Sequence, residues 1–291
     1  MRCVTFSAGG EVRAGALCAR GVVDFRVAAP ALPPTLIELL AAGPRVLQTA
    51  RAVMARALDD AVGVLPVDAV RLLAPMPRPG KILGVALNYR DHAAETGRPA
   101  PAAPFIFSKA PSAVIGPGAA IELPAVSRQV DFEGELAVII GRRARRVARA
   151  DARAHIAGYT IMNDVTARDY QARSGHCLAK SFDTFAPLGP ALVTLDEIED
   201  ADRLPLRTLV SGVEMQRSHT GQLIFDVGTL IEYISAGVTL EPGDVITTGT
   251  PAGVGARRTP PRFLQPGDTV RIEIDGLGVL ENPVVAPGSA A

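Results

Sequence analysis

Three acidic residues at alternate positions, Asp131, Glu133 and Glu135, lead into the strand-like apolar run Leu136-Ala137-Val138-Ile139-Ile140-Gly141. Side chains alternate faces along a strand, so the three carboxylates share one side while Phe132, Leu136, Val138 and Ile140 take the other. Like charges this close, partly removed from water, either raise one another's pKa or need a cation between them. A bound metal ion is the simplest way to keep them all ionised. A solvated acidic edge strand would go on alternating polar residues, whereas here the acidic face continues into Ala137 and Ile139. With no histidine or cysteine nearby in sequence the donors are hard oxygens, so magnesium, manganese or calcium is expected ahead of zinc or copper.

Other residues with chemical potential are scattered along the chain. If residues 90–96 wind into a short helix, His92 and Glu95 fall three apart on one face, where the carboxylate can orient the imidazole. Asp164, Arg168 and Gln171 recur at four and then three residues across a predicted helix, with Asp164 or Thr166 as its cap. Lys180 by itself ranks as a surface lysine. The loop Gly249-Thr250-Pro251-Ala252-Gly253-Val254-Gly255 lacks the ending of a phosphate-binding loop, and Pro260-Pro261 blocks the helix that a dinucleotide fingerprint requires. A backbone pocket for a carboxylate is the more economical reading. No G-x-S-x-G elbow and no H-E-x-x-H occurs, so serine hydrolase and zinc protease chemistry lose their support.

Positioning these residues falls to a chain of short elements. Residues 1 to about 28 suggest a small meander; 36–40 and 46–58 read as helices; 62–73 is strand-like. Pro75-Met76-Pro77-Arg78-Pro79-Gly80 cannot hold regular structure, so 75–80 is expected to link a small α+β domain, 1–74, to a larger one, 81–291. In the larger part, strands are predicted at 82–86, 105–109, 119–123, 159–162, 191–195, 245–248, 270–274 and 279–285. A hairpin turning at Gly212 and helices at 150–157 and 224–235 complete the pattern. Arg98–Pro104, rich in proline and alanine, reads as a flap.

Lysine plus arginine equals aspartate plus glutamate, 30 each, so net charge gives no reason to expect nucleic acid or an anionic membrane as partner. The one basic cluster, Arg142-Arg143-Ala144-Arg145-Arg146, reads as a solvated turn. Cys3, Cys18 and Cys177 show no metal or redox spacing and cannot all pair, which fits a reducing compartment. The amino terminus lacks a signal-like apolar core and no stretch is long enough to span a bilayer, so a cytoplasmic location is expected.

Taken in order, residues 88–97, 130–141, 158–171, 179–190 and 240–255 resemble the fumarylacetoacetate hydrolase family, most closely its small acylpyruvate- and oxaloacetate-acting members with a short amino-terminal domain. The resemblance implies an α+β, mainly β fold: a mixed β-sandwich roll, homodimeric, holding Mg2+ or Mn2+. It assigns Glu133, Glu135 and Asp164 to the metal, His92 and Glu95 to water activation on a closing segment, and Lys180 to stabilising developing negative charge. Arg168, Gln171 and Thr250 fall where the family contacts substrate or supports the site. Three departures stand out: Asn88 where fumarylacetoacetate hydrolases proper carry an acid, Gly134 in place of a bulkier residue, and no aromatic in Arg173–Cys177.

A small 2-oxo acid or dicarboxylate chelates a hard cation through its carboxylate and keto oxygens, and the ion then stabilises an enolate. The leading expectation is hydrolytic carbon–carbon cleavage of an acylpyruvate-type (2,4-dioxo acid) substrate through that enolate, motivated by the His92/Glu95 spacing. Oxaloacetate decarboxylation or keto–enol tautomerisation is the alternative. A non-catalytic dicarboxylate-binding module is a further one, which the full set of acids, histidine and lysine disfavours.

Overall fold

The computed structural model describes residues 1–289 apart from 61 and 199. Its strands are β1 (Arg2–Ala8), β2 (Glu11–Cys18), β3 (Gly21–Asp24), β4 (Ile82–Ala86), β5 (Phe105–Lys109), β6 (Gly134–Ile140), β7 (Ile156–Asn163), β8 (Ala186–Thr194), β9 (Pro205–Val210), β10 (Val213–His219), β11 (Val245–Thr247), β12 (Thr269–Ile274) and β13 (Gly278–Val285), with several two- and three-residue pieces. The helices used below are α1 (Leu36–Ala41), α2 (Pro44–Asp60), α3 (Arg90–Thr96), α4 (Arg168–Ala179) and α5 (Val227–Gly237). One large mixed sheet runs β3-β2-β1-β8-β7-β6-β11-β4-β5, and a smaller sheet runs β10-β9-β12-β13. The fold is α+β and mainly β, and neither sheet closes into a barrel.

The apolar run after Glu135 is continuous because β6 is covered on both faces. Leu136, Val138 and Ile140 pack toward the smaller sheet and α5, among Leu206, Ile272, Leu230 and Ile234. Ala137 and Ile139 pack the other way, with Met162 and Leu188, in the cluster that holds Leu39 and Leu40 of α1 and Val53 of α2. Helix α1 starts where Pro33-Pro34-Thr35 predicts, with a capping box: Glu38 N donates to Thr35 Oγ1, and Thr35 N donates to the Glu38 carboxylate. Such a cap contributes about 0.5–2 kcal/mol. The amino-terminal strands join the same sheet as the rest of the chain, since β1 pairs antiparallel with β8, Cys3 opposite Leu192. The Met1 ammonium donates to Thr194 Oγ1 at 2.7 Å.

Four elements differ from expectation. The acidic strand is broken: Val130–Asp131 pairs with Thr166–Ala167 as a separate ladder, and regular pairing resumes only at Gly134. Residues Arg149–His155 form a 3-10 helix, because Ile156 already enters the sheet opposite Ile140. Helix α5 starts at Val227 rather than 224, capped by Asp226, because the Ile224 and Phe225 N–H groups both donate to Asn88. The stretch 62–73 divides into two short strands, 64–65 and 71–73.

Gly134 is explained by the approach of the second sheet. A Cβ there would lie 2.2 Å from Thr208 Oγ1 and 3.2 Å from Ile272 Cγ2. The Thr208 hydroxyl is buried and has no hydrogen-bond partner among the described residues. Gly134→Ala should therefore destabilise the protein by about 1–3 kcal/mol. Thr208→Ala should be close to neutral alone and should recover most of that loss in the double variant; denaturant midpoints of the four proteins check both expectations.

Candidate active site

Glu133, Glu135 and Asp164 converge. One carboxylate oxygen from each lies within 4.8 Å of the others, and all three residues are buried. The break before β6 sets this geometry: Glu133 N donates to Asn163 Oδ1 at 3.0 Å and Asp164 N donates to the Glu133 carbonyl at 2.8 Å. The end of β7 is thereby fastened beside the start of β6. Asp131, placed by alternation on the same face, is turned away by the break. It accepts instead from Gly255 N at 2.8 Å, Ala256 N at 3.0 Å and Arg168 Nε at 2.8 Å.

Three cations face these acids. Lys180 Nζ lies 2.8 Å from Glu133 Oε2 and 2.6 Å from Asp164 Oδ2, and donates to Thr166 Oγ1 at 2.7 Å. Arg168 Nη2 lies 2.6 Å from Glu133 Oε1, while Nη1 donates to Gln171 Oε1 at 3.3 Å. The third is Lys109, fully buried at the end of β5, with Nζ 2.5 Å from Asp164 Oδ1. The sequence pattern does not single out Lys109, yet it carries a signal: on β5 Lys109 alternates onto the same face as Phe107, which is buried, so a lysine stands in an inward-facing position. Asp164 and Thr166 do not cap α4, whose N-cap is Ala167 without a side-chain hydrogen bond, because both side chains are committed to the lysines.

Burial would raise the Glu133 carboxyl, but Lys180 and Arg168 outweigh it and hold the group far below the usual range. Lys180 is likewise raised: burial opposes its charge, and Asp164 and Glu133 more than restore it. Burial lowers Lys109 against the attraction of Asp164. Glu135 behaves oppositely, pushed well above 4.5 by burial and then by Asp164 and Glu133. It accepts only from neutral donors, the Thr247 hydroxyl and Gly249 N at 2.8 Å. Four carboxylates face three cations, and Glu135 is the one left without a cationic partner. Three hard oxygens this close fit a divalent ion of the magnesium, manganese or calcium type, whose ligands stand about 2–2.6 Å from the metal. Tyr89, buried and close enough to feel the Glu135 charge, leaves its hydroxyl without a hydrogen-bond partner among the described residues.

The His92/Glu95 pair forms as the spacing predicts. Helix α3 ends on Gly97 in the left-handed conformation, and His92 Nδ1 donates to Glu95 Oε2 at 2.8 Å. Glu95 Oε1 accepts from Gly253 N at 2.8 Å. Burial raises Glu95, but the His92 and Gly253 hydrogen bonds outweigh it and lower the carboxyl. The helix is anchored by Asn88, whose amide donates to Phe225 O at 3.0 Å and Thr248 O at 2.8 Å. An aspartate could make neither bond. The Thr250 hydroxyl donates to Gly134 O at 3.0 Å and accepts from Gln216 Nε2 at 2.8 Å. His176, on the stretch without an aromatic, stacks on Phe107 with ring centroids 5.5 Å apart, and Lys180 Nζ lies 5.0 Å from the same Phe107 ring.

Residues 81–285 match the family model described as fumarylacetoacetate (FAA) hydrolase, C-terminal. The chain belongs to the fumarylacetoacetate hydrolase family. Among curated relatives in the family, it is 48% identical over 268 residues to the oxaloacetate tautomerase FAHD2A, mitochondrial, of Bos taurus, covering 91% of this chain and 84% of that one. It is 43% identical over 262 residues to the oxaloacetate tautomerase YisK of Bacillus subtilis (strain 168), covering 87% of each. Among solved structures of the fumarylacetoacetate hydrolase fold, maleylpyruvate hydrolase from Sphingobium sp. SYK-6, in complex with manganese (II) ion and pyruvate, superposes with a TM-score of 0.82 at 32% identity, covering 99% of this chain and 100% of that one. The protein is thus a family enzyme with a buried acidic triad suited to a metal. No helix among the described residues is long and apolar enough to cross a membrane.

An unpaired buried carboxylate has a thermodynamic signature. Without a divalent ion, folded Glu135 holds its proton above 4.5 while the unfolded chain releases it, so stability should fall as pH rises from 4.5 through the raised folded value. Glu135→Gln should remove that slope and raise the metal-free melting temperature at neutral pH by a few degrees. Added Mg2+ or Mn2+ should stabilise the wild type and leave the variant unchanged, as read by thermal melts with metal and with chelator.

Proposed function

We propose that this protein interconverts the keto and enol forms of oxaloacetate or a close 2-oxo dicarboxylate. The observation that carries the reading is the pairing of a proton-moving dyad, His92 hydrogen-bonded to Glu95 at 2.8 Å, with a buried cluster of hard oxygens and ammonium groups. The likeness to the oxaloacetate tautomerases FAHD2A and YisK supports it.

Glu133, Glu135 and Asp164 would hold the divalent ion, Mg2+ or Mn2+, which when bound polarises the 2-oxo acid as a Lewis acid. Glu95, kept ionised by its two hydrogen bonds, fixes the His92 tautomer with the proton on Nδ1. The Nε2 lone pair is then free to take the proton from C3 of the substrate. Negative charge develops on the C2 oxygen as that proton leaves. The Lys180 ammonium donates to this oxygen in a site drier than bulk water, where such a contact counts for more. Lys109 contacts Asp164 Oδ1, so Asp164 keeps a counter-ion when Lys180 exchanges its contact with Asp164 Oδ2 for one to substrate. Return of the proton to oxygen gives the enol; return to carbon gives the ketone.

A second reading, hydrolysis of an acylpyruvate, is supported by the same dyad, which could activate water, and by the likeness to maleylpyruvate hydrolase. The two reactions diverge once the proton has moved, so their products separate them. With oxaloacetate the expected outcome is faster keto–enol equilibration with no stoichiometric pyruvate, monitored by ultraviolet absorbance and proton NMR. Pyruvate released one-for-one with a carboxylic acid from 2,4-dioxo acids, at a rate exceeding tautomerisation, would favour hydrolysis. His92→Ala should lower kcat for tautomerisation by about 10²–10⁴-fold. Its melting temperature should stay near that of the wild type, because His92 is partly exposed. An unchanged rate would place the base elsewhere.

A further inference from the structure

Asp131 is a fully buried carboxylate that stands outside the converging triad. Its Oδ1 accepts from Phe132 N at 2.9 Å and Gly255 N at 2.8 Å; its Oδ2 accepts from Ala256 N at 3.0 Å and Arg168 Nε at 2.8 Å, with Arg168 Nη2 also 2.8 Å away. Both oxygens are saturated, so the carboxylate is locked between the loop and the guanidinium. Arg168 in turn reaches Glu133 Oε1 at 2.6 Å through Nη2, the atom that also faces Asp131. A shift of Asp131 therefore moves the cation that contacts a triad acid.

The other end of the same loop segment holds α3. Gly253 N donates to Glu95 Oε1 at 2.8 Å, two residues before the N–H that docks on Asp131. That span has little freedom. A Cβ at Gly253, where φ is +103°, would lie 2.1 Å from Met215 O, and one at Gly255 would lie 1.9 Å from Arg262 O and 2.6 Å from Asp131 Oδ1. Gln216 Nε2 further clamps the approach by donating to Pro251 O at 3.0 Å. A polar path runs from His92 through Glu95, Gly253 to Gly255 and Asp131 to Arg168 by hydrogen bonds and backbone, and closes on Glu133 by the ion contact of Arg168 Nη2. Energetic coupling travels through such contiguous networks of hydrogen bonds, ion pairs and closely packed elements.

We propose that Asp131 is a positioning residue that makes the placement of Arg168 against Glu133 depend on the docking of α3, so that the cluster is set for reaction only when His92 and Glu95 are in place. This rests on the reading of His92 and Glu95 as the proton-moving pair. Asp131→Asn keeps the size of the side chain but presents an NH2 group either to the loop N–H donors or to Arg168, and so must break one side of the path.

The experiment compares wild type, Asp131→Asn, Glu95→Gln and the double variant by two readouts. The first is kcat and KM with oxaloacetate. Asp131→Asn should lower kcat by about tenfold or more with KM changed less than about threefold, the pattern of a lost transition-state arrangement. The double variant should fall no more than about threefold below the weaker single variant, since both substitutions cut one path. The second readout is amide hydrogen exchange, which needs no substrate. Asp131→Asn should speed exchange across residues 90–97, and Glu95→Gln should reciprocally speed it across 168–174.

Multiplicative effects on kcat, or wild-type exchange at 90–97 in Asp131→Asn, would overturn the proposal. Should Asp131→Asn fail to fold, the Glu95→Gln arm decides: unchanged exchange at 168–174 overturns it. Absence of any oxaloacetate tautomerisation in the wild type would instead count against the function proposed above, and the exchange readout would still decide the coupling.

Discussion

The constraint on which the rest of the structure depends is a charge imbalance among buried side chains. Asp131, Glu133, Glu135 and Asp164 are buried together with Lys109 and Lys180 and beside the half-buried Arg168, and the acid left over, Glu135, is met only by a hydroxyl and an amide. Isolated buried charge is expensive, several kcal/mol per ion even after relaxation. A fold stabilised by its core alone would have no use for such an arrangement. A site that must receive a divalent cation has every use for it, because the missing positive charge is what gives the ion a reason to bind. Lys109 makes the same point from the other side: an ammonium in a fully buried position at a strand end is tolerable only because Asp164 stands 2.5 Å away.

The loop after β11 is where this arrangement is assembled. Its backbone N–H groups do form an anion cradle, but the carboxylates they hold belong to the protein itself. Gly249 N holds Glu135, Gly253 N holds Glu95, and Gly255 N and Ala256 N hold Asp131. One segment thus positions a triad acid, the acid of the dyad and the partner of Arg168. The glycines serve close approach: at Gly249 a Cβ would lie 2.9 Å from Asn88 Cβ and 3.0 Å from Val85 O, which ties the loop to the root of α3 as well. Gln216, from the smaller sheet, grips the same loop through Thr250 and Pro251 and also accepts from Gly134 N. The second sheet therefore takes part in the site through one amide.

Much of this is legible in the sequence alone. The alternation of Glu133 and Glu135 ahead of an apolar run, the three-residue step from His92 to Glu95, and strands 82–86 and 105–109 are local patterns whose periodicity survives folding. What escapes depends on partners far away in sequence. Asp131 obeys the same alternation as the two glutamates, but the ladder with Thr166–Ala167 ends at it, and its carboxylate goes to residues 124 and 125 positions later. Lys109 meets its acid only after 55 residues, so its alternation with Phe107 on β5 marks it as inward-facing but gives no hint of its partner. Gly134 is an anomaly until Thr208 is seen against it. The spacing that predicts a helix at 150–157 is satisfied equally well by a 3-10 turn over so few residues.

The same geometry bears on why one scaffold can serve tautomerases and hydrolases alike. On the function proposed above, both reactions need a 2-oxo acid held at a polar, largely buried floor, and both need a base whose tautomer is fixed. Here the acids and their cations stand on or beside β5, β6, β7 and α4, while His92 sits on α3, a separate seven-residue helix fastened by Asn88 at its root and by Glu95 at its face. On that proposed function, the floor would let negative charge develop on the 2-oxo group. The placement of α3 decides what the imidazole meets, a substrate carbon or a water molecule. A change in outcome therefore requires no change in the triad or the lysines, only a shift of a short helix relative to a rigid loop. The hydrogen bonds that Glu95 and Asp131 accept from that loop oppose such a shift, and this is the structural ground on which the proposed function favours proton transfer to and from carbon over admission of water.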